Sequence, residues 1–395
     1  MAKKRANDEG AIFKRPNGKW QAQITLEGKR ISKTFSSKKE CRLWNRDMTM
    51  QKERGLSFIA TKTSFQDYLI QWLEDIKQSL RPTTWSQYQG VVNNHIVPIL
   101  GKIKLASLSS RNIQNLYTIS LNEGKGERTV VVMHAVIHRS LKMAKRQGLI
   151  SINPASSVQK PKYESRIILV LDESQIHQLL SYAKTRELDV LIRLAVTTGM
   201  RLGEVLGLKW KDVDWPTPCI QVRRQLQRVK GMGLIFSKPK TDSGIRTILI
   251  GDRMLSLLGG HLDNQDLLRR KLGPRWRDND LIFPSGVGTP KEPRNLIREF
   301  KALLVQANLP NFRFHDLRHT AASLMLMSNM PLIRITRQLG HAKPSTTLDI
   351  YGHLIPGLES DSVEKIDYIV EPVAAELQQI IKKDSEKLKY PRLKG

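Results

Sequence analysis

Most of the chain repeats apolar residues at helical spacing, but one stretch near the start alternates with a period of two. In NGKWQAQITLEGKRISKTF, Trp20, Ala22 and Ile24 fall on one side, which is typical of a half-buried strand. Glu27 and Gly28 then predict a turn, and KRISKTF returns as a second strand. Because SSKKECRLWNRDMTMQ has the pattern of a capped helix, we expect a small β-sheet plus helix module here.

Four helical patterns follow in succession. SFQDYLIQWLEDI begins with Ser64 and Asp67 as a cap pair, and RPTTWSQYQGVVNNHIVPILG offers Thr83 as the next cap, with stops at Pro98 and Gly101. LSSRNIQNLYTISL and RTVVVMHAVIHRSLKMAKRQG supply two more helices. These patterns predict an all-α four-helix domain, and the Pro-, Ser- and Lys-rich stretch SINPASSVQKPKYESR predicts a linker after it.

The remainder of the chain mixes the two periods. LDESQIHQLLSYA opens it with a capped helix, and CIQVRRQLQ, GLIFSKP and IRTILI read as three short strands with helices on both sides. This pattern predicts a mainly α (α+β) domain. The predicted multidomain order is a module at residues 1–56, a helical domain at 63–150, a linker at 151–165 and a last domain with a C-terminal tail at 166–395.

The charge balance points to a polyanionic partner. The 395 residues include 65 Lys and Arg against 37 Asp and Glu, a formal net charge of +28. Such an excess favours nucleic acid as the partner, although a basic ribosomal protein would share it. Cys41 and Cys219 are too few and too far apart for a disulfide framework or a cysteine zinc cluster.

The sequence carries no targeting signal that we can identify. MAKKRANDEG lacks the apolar core of a signal peptide, and no apolar stretch reaches membrane-spanning length. We therefore expect a cytoplasmic protein, associated with the nucleoid in a bacterial cell, or a nuclear one in a host that has a nucleus, and no membrane partner.

Polar and basic side chains at three places are expected to contact DNA. The polar face of a strand pair can enter a major groove, and the second and fourth helices of the helical domain carry further donors. Basic residues in a last helical turn also suit the helix dipole, so this assignment competes with a purely structural one. The expected DNA-binding residues are Lys19, Gln21, Gln23, Arg81, Thr83, Lys142, Lys145 and Arg146.

Two motifs of the last domain contain an arginine near the start of a predicted helix. Arg201 opens a helix in TTGMRLGEVLGLKW, where a cation opposes the dipole, so its partner should be Glu204 or a ligand phosphate. In HDLRHT, His315 and Arg318 lie one turn apart on one helical face. A helical zinc pair has a glutamate between its histidines, whereas Arg318 would repel a cation, and we expect no metal.

Three further residues are ambiguous when taken alone. RQLGHAKPSTTLDIYGHL ends a helix at Gly340, places His341 after it and reaches Tyr351 along a second short helix. A helix–turn–helix DNA reader has the same pattern, and a tyrosine there can also be a core residue. Lys240 stands in SKPKTDSGIRTI, which predicts a hairpin with its turn at 242–244, where a single lysine is usually only solvated.

Taken together and in this order, TGMRLGE, HDLRHT, LGH and the tyrosine closely resemble the tyrosine recombinases, the family of lambda-type phage integrases. RPTTWSQYQGVVNNHIVPILG and GLISINPASSV are similar to the core-binding domain and interdomain linker of that family. The first module is similar to its arm-type DNA-binding domain. The resemblance covers nearly the whole chain and implies a catalytic domain of the tyrosine recombinase/type IB topoisomerase fold.

The resemblance also implies a catalytic set. Tyr351 would be the nucleophile that forms a 3′-phosphotyrosyl link. Arg201 and Arg318 would clamp the non-bridging phosphate oxygens, because a guanidinium fork donates two hydrogen bonds and keeps its charge.

The other members of the set would move protons or orient neighbours. Lys240 would be the general acid for the 5′ oxygen, preferred over Lys238 because it immediately precedes Thr241 and the turn. His315 and His341 would donate hydrogen bonds to phosphate or assist proton transfer. Glu204 would orient Arg201, and His319 is expected to be structural.

The partners implied are double-stranded DNA with arm-type and core-type attachment sites, a homotetramer on that DNA, a directionality factor and a host DNA-bending protein. No metal, nucleotide or other cofactor is expected. The apolar-faced segment IVEPVAAELQQIIKK is expected to pack on its own domain or on a neighbouring protomer. The alternatives are a Xer-like resolvase, a type IB topoisomerase-like enzyme and a non-catalytic DNA-binding protein.

Overall fold

The computed structural model describes residues 10–26, 29–53, 62–163, 168–239, 241–351 and 378–383. The chain divides into two compact units. The first comprises residues 1–166 with 229–231, and the second comprises residues 167–228 with 232–395.

The first unit begins with an antiparallel sheet in the order β1 (Ala11–Lys14), β2 (Trp20–Leu26), β3 (Lys29–Phe35). Helix α1 (Lys38–Glu53) follows and contacts this sheet. Strands β2 and β3 pair up to Leu26 and Lys29, which agrees with the predicted hairpin, although its turn lies outside the described residues. β1 was not predicted.

The helical part of the first unit also follows its sequence pattern. The Ser64 side chain accepts a hydrogen bond from the Asp67 backbone at 3.1 Å, which confirms the predicted cap pair. Phe65, Trp72 and Tyr117 are among its fully buried side chains. Its helices are α2 (Phe65–Ile76), α3 (Pro82–Val91), α4 (Val97–Leu100), α5 (Ser110–Asn122) and α6 (Glu127–Arg146).

Two details of this region differ from the prediction. Thr83 is not a cap: α3 begins at Pro82, whose fixed φ suits the first helical position, and Arg81 occupies the cap position. Pro98 does not stop the helical run either. A π-helical turn over Val92–Ile96 joins α3 to α4, and the run continues to Leu100.

The start of the predicted linker packs against the helical part. A 3-10 turn, Pro154–Ser157, follows α6. Ala155 is fully buried in the same core, and the Ser110 hydroxyl donates to the Pro154 carbonyl at 2.7 Å.

The second unit is mostly helical. Its apolar core includes Leu191, Leu194 and Ala195, which lie on the helix Asp189–Thr198. Its helices are α7 (Glu173–Lys184), α8 (Asp189–Thr198), α9 (Leu202–Gly207), α10 (Asp252–Leu272), α11 (Pro293–Gln306), α12 (Asp316–Met327), α13 (Leu332–Leu339) and α14 (Pro344–Tyr351). Its strands are β4 (Val213–Asp214), β5 (Cys219–Val222), β6 (Gln225–Val229), β7 (Gly233–Ser237) and β8 (Arg246–Leu249).

These strands form two sheets, which corrects two predictions. CIQVRRQLQ is not one strand, because β5 lies in the sheet β4-β5-β8 while β6 lies in a second sheet with β7. The break coincides with Arg224, whose guanidinium turns aside to bind the Asp212 carboxylate. SKPKTDSGIRTI is not a hairpin either, because β7 and β8 belong to different sheets. A 3-10 turn at Asp242–Gly244 lies between them.

Of IVEPVAAELQQIIKK, only residues 378–383 are described, and they are helical and exposed. Within the described ranges, no helix has both the length and the apolar character needed to cross a membrane.

Candidate active site

Arg318 connects two other parts of the site through hydrogen bonds. It lies in the first turn of α12 and is only 2% exposed. Its two terminal nitrogens donate to the Gly199 carbonyl at 2.7 Å and to the Leu339 carbonyl at 2.6 Å. The guanidinium therefore fixes the turn after α8 and the end of α13 around one positive charge.

The close approach at this turn requires a glycine. Gly199 has φ +68°, a left-handed conformation that glycine adopts without a steric penalty. A Cβ there would lie 2.4 Å from the Leu339 side chain. The glycine of TGMRLGE thus permits both the chain reversal before Arg201 and the carbonyl contact with Arg318.

Arg201 is oriented by a buried carboxylate. Its guanidinium donates to Glu204 Oε1 at 2.7 Å, and its backbone N–H donates to Glu204 Oε2 at 2.9 Å. The structure thus gives Arg201 the acidic partner that the sequence suggested, while its side chain keeps 38% exposure. Burial alone would raise the pKa of Glu204, but the charges of Arg246 and Arg201 hold that pKa below its ordinary value.

Arg246 is a site residue that sequence reasoning missed. Its side chain is 6% exposed, and its guanidinium donates to Glu204 Oε2 at 3.0 Å, to the Gln338 carbonyl at 2.6 Å and to the Gly244 carbonyl at 3.0 Å. Arg246, on β8, therefore joins three parts of the site. These are the Glu204 carboxylate that also binds Arg201, the end of α13 and the turn at Asp242–Gly244.

His341 is placed by the left-handed turn that ends α13. Gly340 has φ +68°, and a Cβ there would lie 2.9 Å from the Ser243 carbonyl. The His341 Nδ1 is hydrogen-bonded to the buried Thr347 hydroxyl at 2.9 Å, and Thr336 extends the chain of hydroxyls at 3.0 Å. Burial and the nearby arginines lower the pKa of His341 to about 4, so its ring is neutral at pH 7.

Tyr351 ends α14 with its side chain only 1% exposed. Its hydroxyl lies 2.7 Å from Nδ1 of His319, which is 8% exposed. Burial raises the pKa of the Tyr351 phenol to about 12 against an opposing effect of Arg318. The structural role expected for His319 stays a prediction, and the structure adds that this histidine contacts the expected nucleophile.

His315 is at the N-terminal cap position of α12, with its ring edge-on to the His319 ring at a centroid distance of 5.3 Å. Its side chain keeps contact with solvent. Desolvation of its inner side and the positive charges of Arg318 and Arg201 lower its pKa to about 4.

The site has an excess of positive charge. The guanidinium groups of Arg201 and Arg246 pair with the Glu204 carboxylate, and that of Arg318 lies close enough to feel its charge. Burial and the charge of Arg201 lower the pKa of Arg318 to about 9, which leaves it cationic at pH 7. Such a cluster favours a bound anion, and guanidinium groups suit phosphate oxygens.

Lys240 lies outside the described residues. The described chain resumes at Thr241, whose hydroxyl is 2.9 Å from the Ser243 hydroxyl, and Gln225 donates to the Lys238 carbonyl at 3.1 Å. The assignment of Lys240 stays a prediction.

The expected DNA-binding residues differ in their exposure. Gln21 is 8% exposed, and its side-chain oxygen accepts a hydrogen bond from Arg15 Nε at 2.7 Å, so its amide is largely withdrawn from the strand face. Thr83 lies half-buried in the first turn of α3. The remaining residues have exposed or half-buried side chains: Lys19, Gln23, Arg81, Lys142, Lys145 and Arg146.

Among the described residues, no group of three or more His, Cys, Asp or Glu side chains is close enough to hold a metal ion.

Comparisons with known proteins match both units. The family model described as "Phage integrase family" matches residues 169–356, and "Phage integrase, N-terminal SAM-like domain" matches residues 64–119. The tyrosine recombinase XerC-like protein of Caldanaerobacter subterraneus subsp. tengcongensis is 29% identical over 380 residues, 89% of this chain and 97% of that protein. The ICEBs1 integrase of Bacillus subtilis is 23% identical, covering 90% and 99%.

Solved structures share the fold. The Tn1549 transposon integrase in complex with a circular intermediate DNA aligns with a TM-score of 0.65 at 17% identity, covering 78% of this chain and 99% of that one. A lambda integrase dimer bound to a COC′ core site aligns with a TM-score of 0.55 at 17% identity, covering 90% and 97%.

Proposed function

This chain belongs to the phage integrase family of tyrosine recombinases, and from that premise we propose that it is the integrase of a phage or integrative element. It is a site-specific DNA recombinase. In our proposal it cuts and rejoins DNA through a 3′-phosphotyrosyl intermediate, without metal or ATP.

The observation that carries the proposal is the pair of carbonyl contacts made by Arg318. They link the turn before Arg201 and the residues before His341 to one buried guanidinium. The Tyr351 hydroxyl is hydrogen-bonded to His319, which follows Arg318 on the same helix. This clustering supports one site that combines a phosphate clamp with a nucleophile.

The chemistry follows from these groups. The Tyr351 oxygen attacks phosphorus and forms the phosphotyrosyl ester, while the bond from phosphorus to the 5′ oxygen breaks. Arg201 and Arg318 stabilise the charge that develops on the non-bridging oxygens, because preorganised hydrogen-bond donors stabilise transition-state charge strongly. Lys240 donates the proton to the 5′ oxygen, as the family resemblance implies. A new 5′ hydroxyl then reverses the steps on the partner strand.

We assign DNA contacts to both units. The exposed Lys19 and the half-buried Gln23 of the first module would contact arm-type sites, and Lys142, Lys145 and Arg146 on α6 would contact the core site. Gln21 is removed from this set because Arg15 already holds its side chain. A homotetramer on two duplexes, a directionality factor and a host bending protein complete the proposed assembly.

The test is covalent capture on genomic DNA from the bacterium that encodes the chain. Wild-type protein should form adducts resistant to denaturation, and Tyr351→Phe should bind DNA equally well but form none. Tyr182→Phe, which changes an exposed tyrosine of the same unit, should behave as wild type. Adducts that persist in Tyr351→Phe would contradict the nucleophile assignment. The absence of adducts from wild type on any DNA would favour a non-catalytic DNA-binding protein.

A Xer-like resolvase is the second candidate, because a curated relative is named XerC-like and covers 89% of this chain. Sequencing the captured ends separates the two functions. An integrase should cut two different sites, one in the element and one in the host chromosome, whereas a resolvase should cut one chromosomal site. Cleavage should also survive excess EDTA. A loss that added Mg²⁺ restores would contradict the metal-free mechanism.

A further inference from the structure

The hydroxyl of Tyr351 is enclosed together with a single imidazole. The distance from Oη to His319 Nδ1 is 2.7 Å, within normal hydrogen-bond range, and the two ring centroids are 5.6 Å apart. No other hydrogen bond of this hydroxyl is formed within the part of the chain that the structure describes. The two side chains are 1% and 8% exposed, so bulk water has little access to the phenol proton.

The other histidines of the site are engaged differently. His341 Nδ1 is bonded to Thr347 rather than to the tyrosine. His315 faces the His319 ring edge-on, and no hydrogen bond joins it to the Tyr351 hydroxyl among the described residues. Geometry therefore singles out His319 as the base nearest the nucleophile.

Resting on the function proposed above, we propose that His319 is a catalytic residue that accepts the phenol proton of Tyr351 as its oxygen attacks phosphorus. The O–H bond of Tyr351 breaks, its proton moves to Nδ1, and the Oη–P bond forms while the bond from phosphorus to the 5′ oxygen breaks. The 5′ oxygen takes its proton from the general acid, so one proton enters and one leaves. In rejoining, the His319 imidazolium returns its proton to the departing phenolate.

The surroundings of the ring suit this role. Besides Tyr351 on α14, the titratable and charged groups near His319 among the described residues include His315, His341, Asp316, Arg313 and Arg318. Burial lowers the pKa of His319 below its ordinary value, so the imidazole is neutral at pH 7 and able to accept. With a proton on Nε2, Nδ1 is the acceptor for the phenol.

The test compares His319→Asn with wild type. The asparagine side chain can keep a hydrogen bond near the position of Nδ1, but it cannot take up a proton. The probe is a nicked duplex with the sequence captured from genomic DNA, and the measurement is single-turnover adduct formation from about pH 6 to about pH 9. Melting temperature and DNA affinity verify that the variant is folded. If His319→Asn does not fold, His319→Gln takes its place.

We expect adduct formation about 10²-fold slower at pH 7 in His319→Asn, the lower end of the range for general acid–base catalysis. The deficit should shrink as pH rises, because ionisation of the phenol then no longer needs the base. A duplex with sulfur in place of the bridging 5′ oxygen should not rescue this variant, since thiolate leaves without a proton and bypasses only the acid. The same duplex should rescue Lys240→Ala.

Two results would overturn the assignment. One is a His319→Asn variant with the rate and pH profile of wild type, or one that the sulfur substrate restores. The other is a ¹⁵N spectrum of the DNA-free protein in which Nδ1 of His319 carries the proton, since it would then donate to Tyr351. These outcomes presuppose adducts from wild type. If wild type forms none, the proposed function fails instead.

Discussion

Arg246→Lys tests whether one buried side chain keeps the parts of the site in register. Lysine preserves the charge, but its single ammonium cannot reach all three acceptors that the guanidinium now serves: Glu204, the Gln338 carbonyl and the Gly244 carbonyl. If one of the three bonds survives, two are lost. Hydrogen bonds from charged donors contribute about 1.5 kcal/mol each at the low end of their range, so the local loss is about 3 kcal/mol.

The assay is hydrogen exchange followed by mass spectrometry on the full chain. A loss of about 3 kcal/mol corresponds to about 10²-fold faster exchange where opening is local. It should appear in peptides that cover α9 and the end of α13, since both are held through this side chain. Adduct formation at saturating DNA should slow as well. The Glu204 carboxylate, which orients Arg201, would be held less firmly once Arg246 is replaced.

Arg228→Lys is the matched control. Arg228 also pairs with a carboxylate, Glu292 at 2.8 Å, but its side chain is 52% exposed. Exposed pairs contribute little, about 0–1 kcal/mol, so exchange in the same peptides should not change. If Arg246→Lys exchanges like this control, the three hydrogen bonds do not hold the site together and the reasoning is wrong.

Three further predictions follow from the site. Gly340→Ala should destabilise the second unit by at least about 1 kcal/mol, since the left-handed φ and the Ser243 carbonyl 2.9 Å away both oppose a Cβ; an unchanged melting temperature would contradict this. Folding lowers the pKa of Glu204, so the ionised carboxylate contributes fully to the free energy of unfolding above about pH 4.5. That contribution is lost as pH falls through the pKa of the folded state. In Glu204→Gln, the free energy of unfolding should therefore fall less steeply below that pH. Inorganic phosphate should raise the melting temperature of DNA-free wild type more than chloride does at equal ionic strength, and Arg318→Ala should abolish the difference.

Local signals in the sequence predicted the helices well. The Ser64 and Asp67 pair formed the cap as expected, because a cap depends on residues three apart. The partner of Arg201 was also predictable for the same reason, since Glu204 is one turn away. Interactions confined to one turn are visible in the order of residues.

Pairing between distant segments was not predictable in this way. CIQVRRQLQ alternates as one strand, but alternation does not reveal that its two halves join different sheets. The contact between His319 and Tyr351 spans 32 positions, and only the fold brings them together. A weak signal existed, since His319 stands one turn after His315 on the same helix.

Arg246 left a clearer signal. It alternates in IRTILI on the same strand face as Ile248, which is 1% exposed. A charged residue in register with a core position must have a buried partner. The sequence could not name that partner, because Glu204 lies 42 positions earlier.

The candidate site combines two buried arginines, Arg246 and Arg318, with the partly exposed Arg201. Arg201 and Arg246 share the carboxylate of Glu204, and the nearby charge of Arg318 adds to theirs. Arg318 directs two of its donors to backbone carbonyls, which fixes its orientation before any phosphate binds. Donors fixed in this way need little reorganisation when charge develops on phosphorus, and that is the condition under which they stabilise a transition state most. In the proposed mechanism, a phosphate bound here would offset the repulsion among these guanidinium groups.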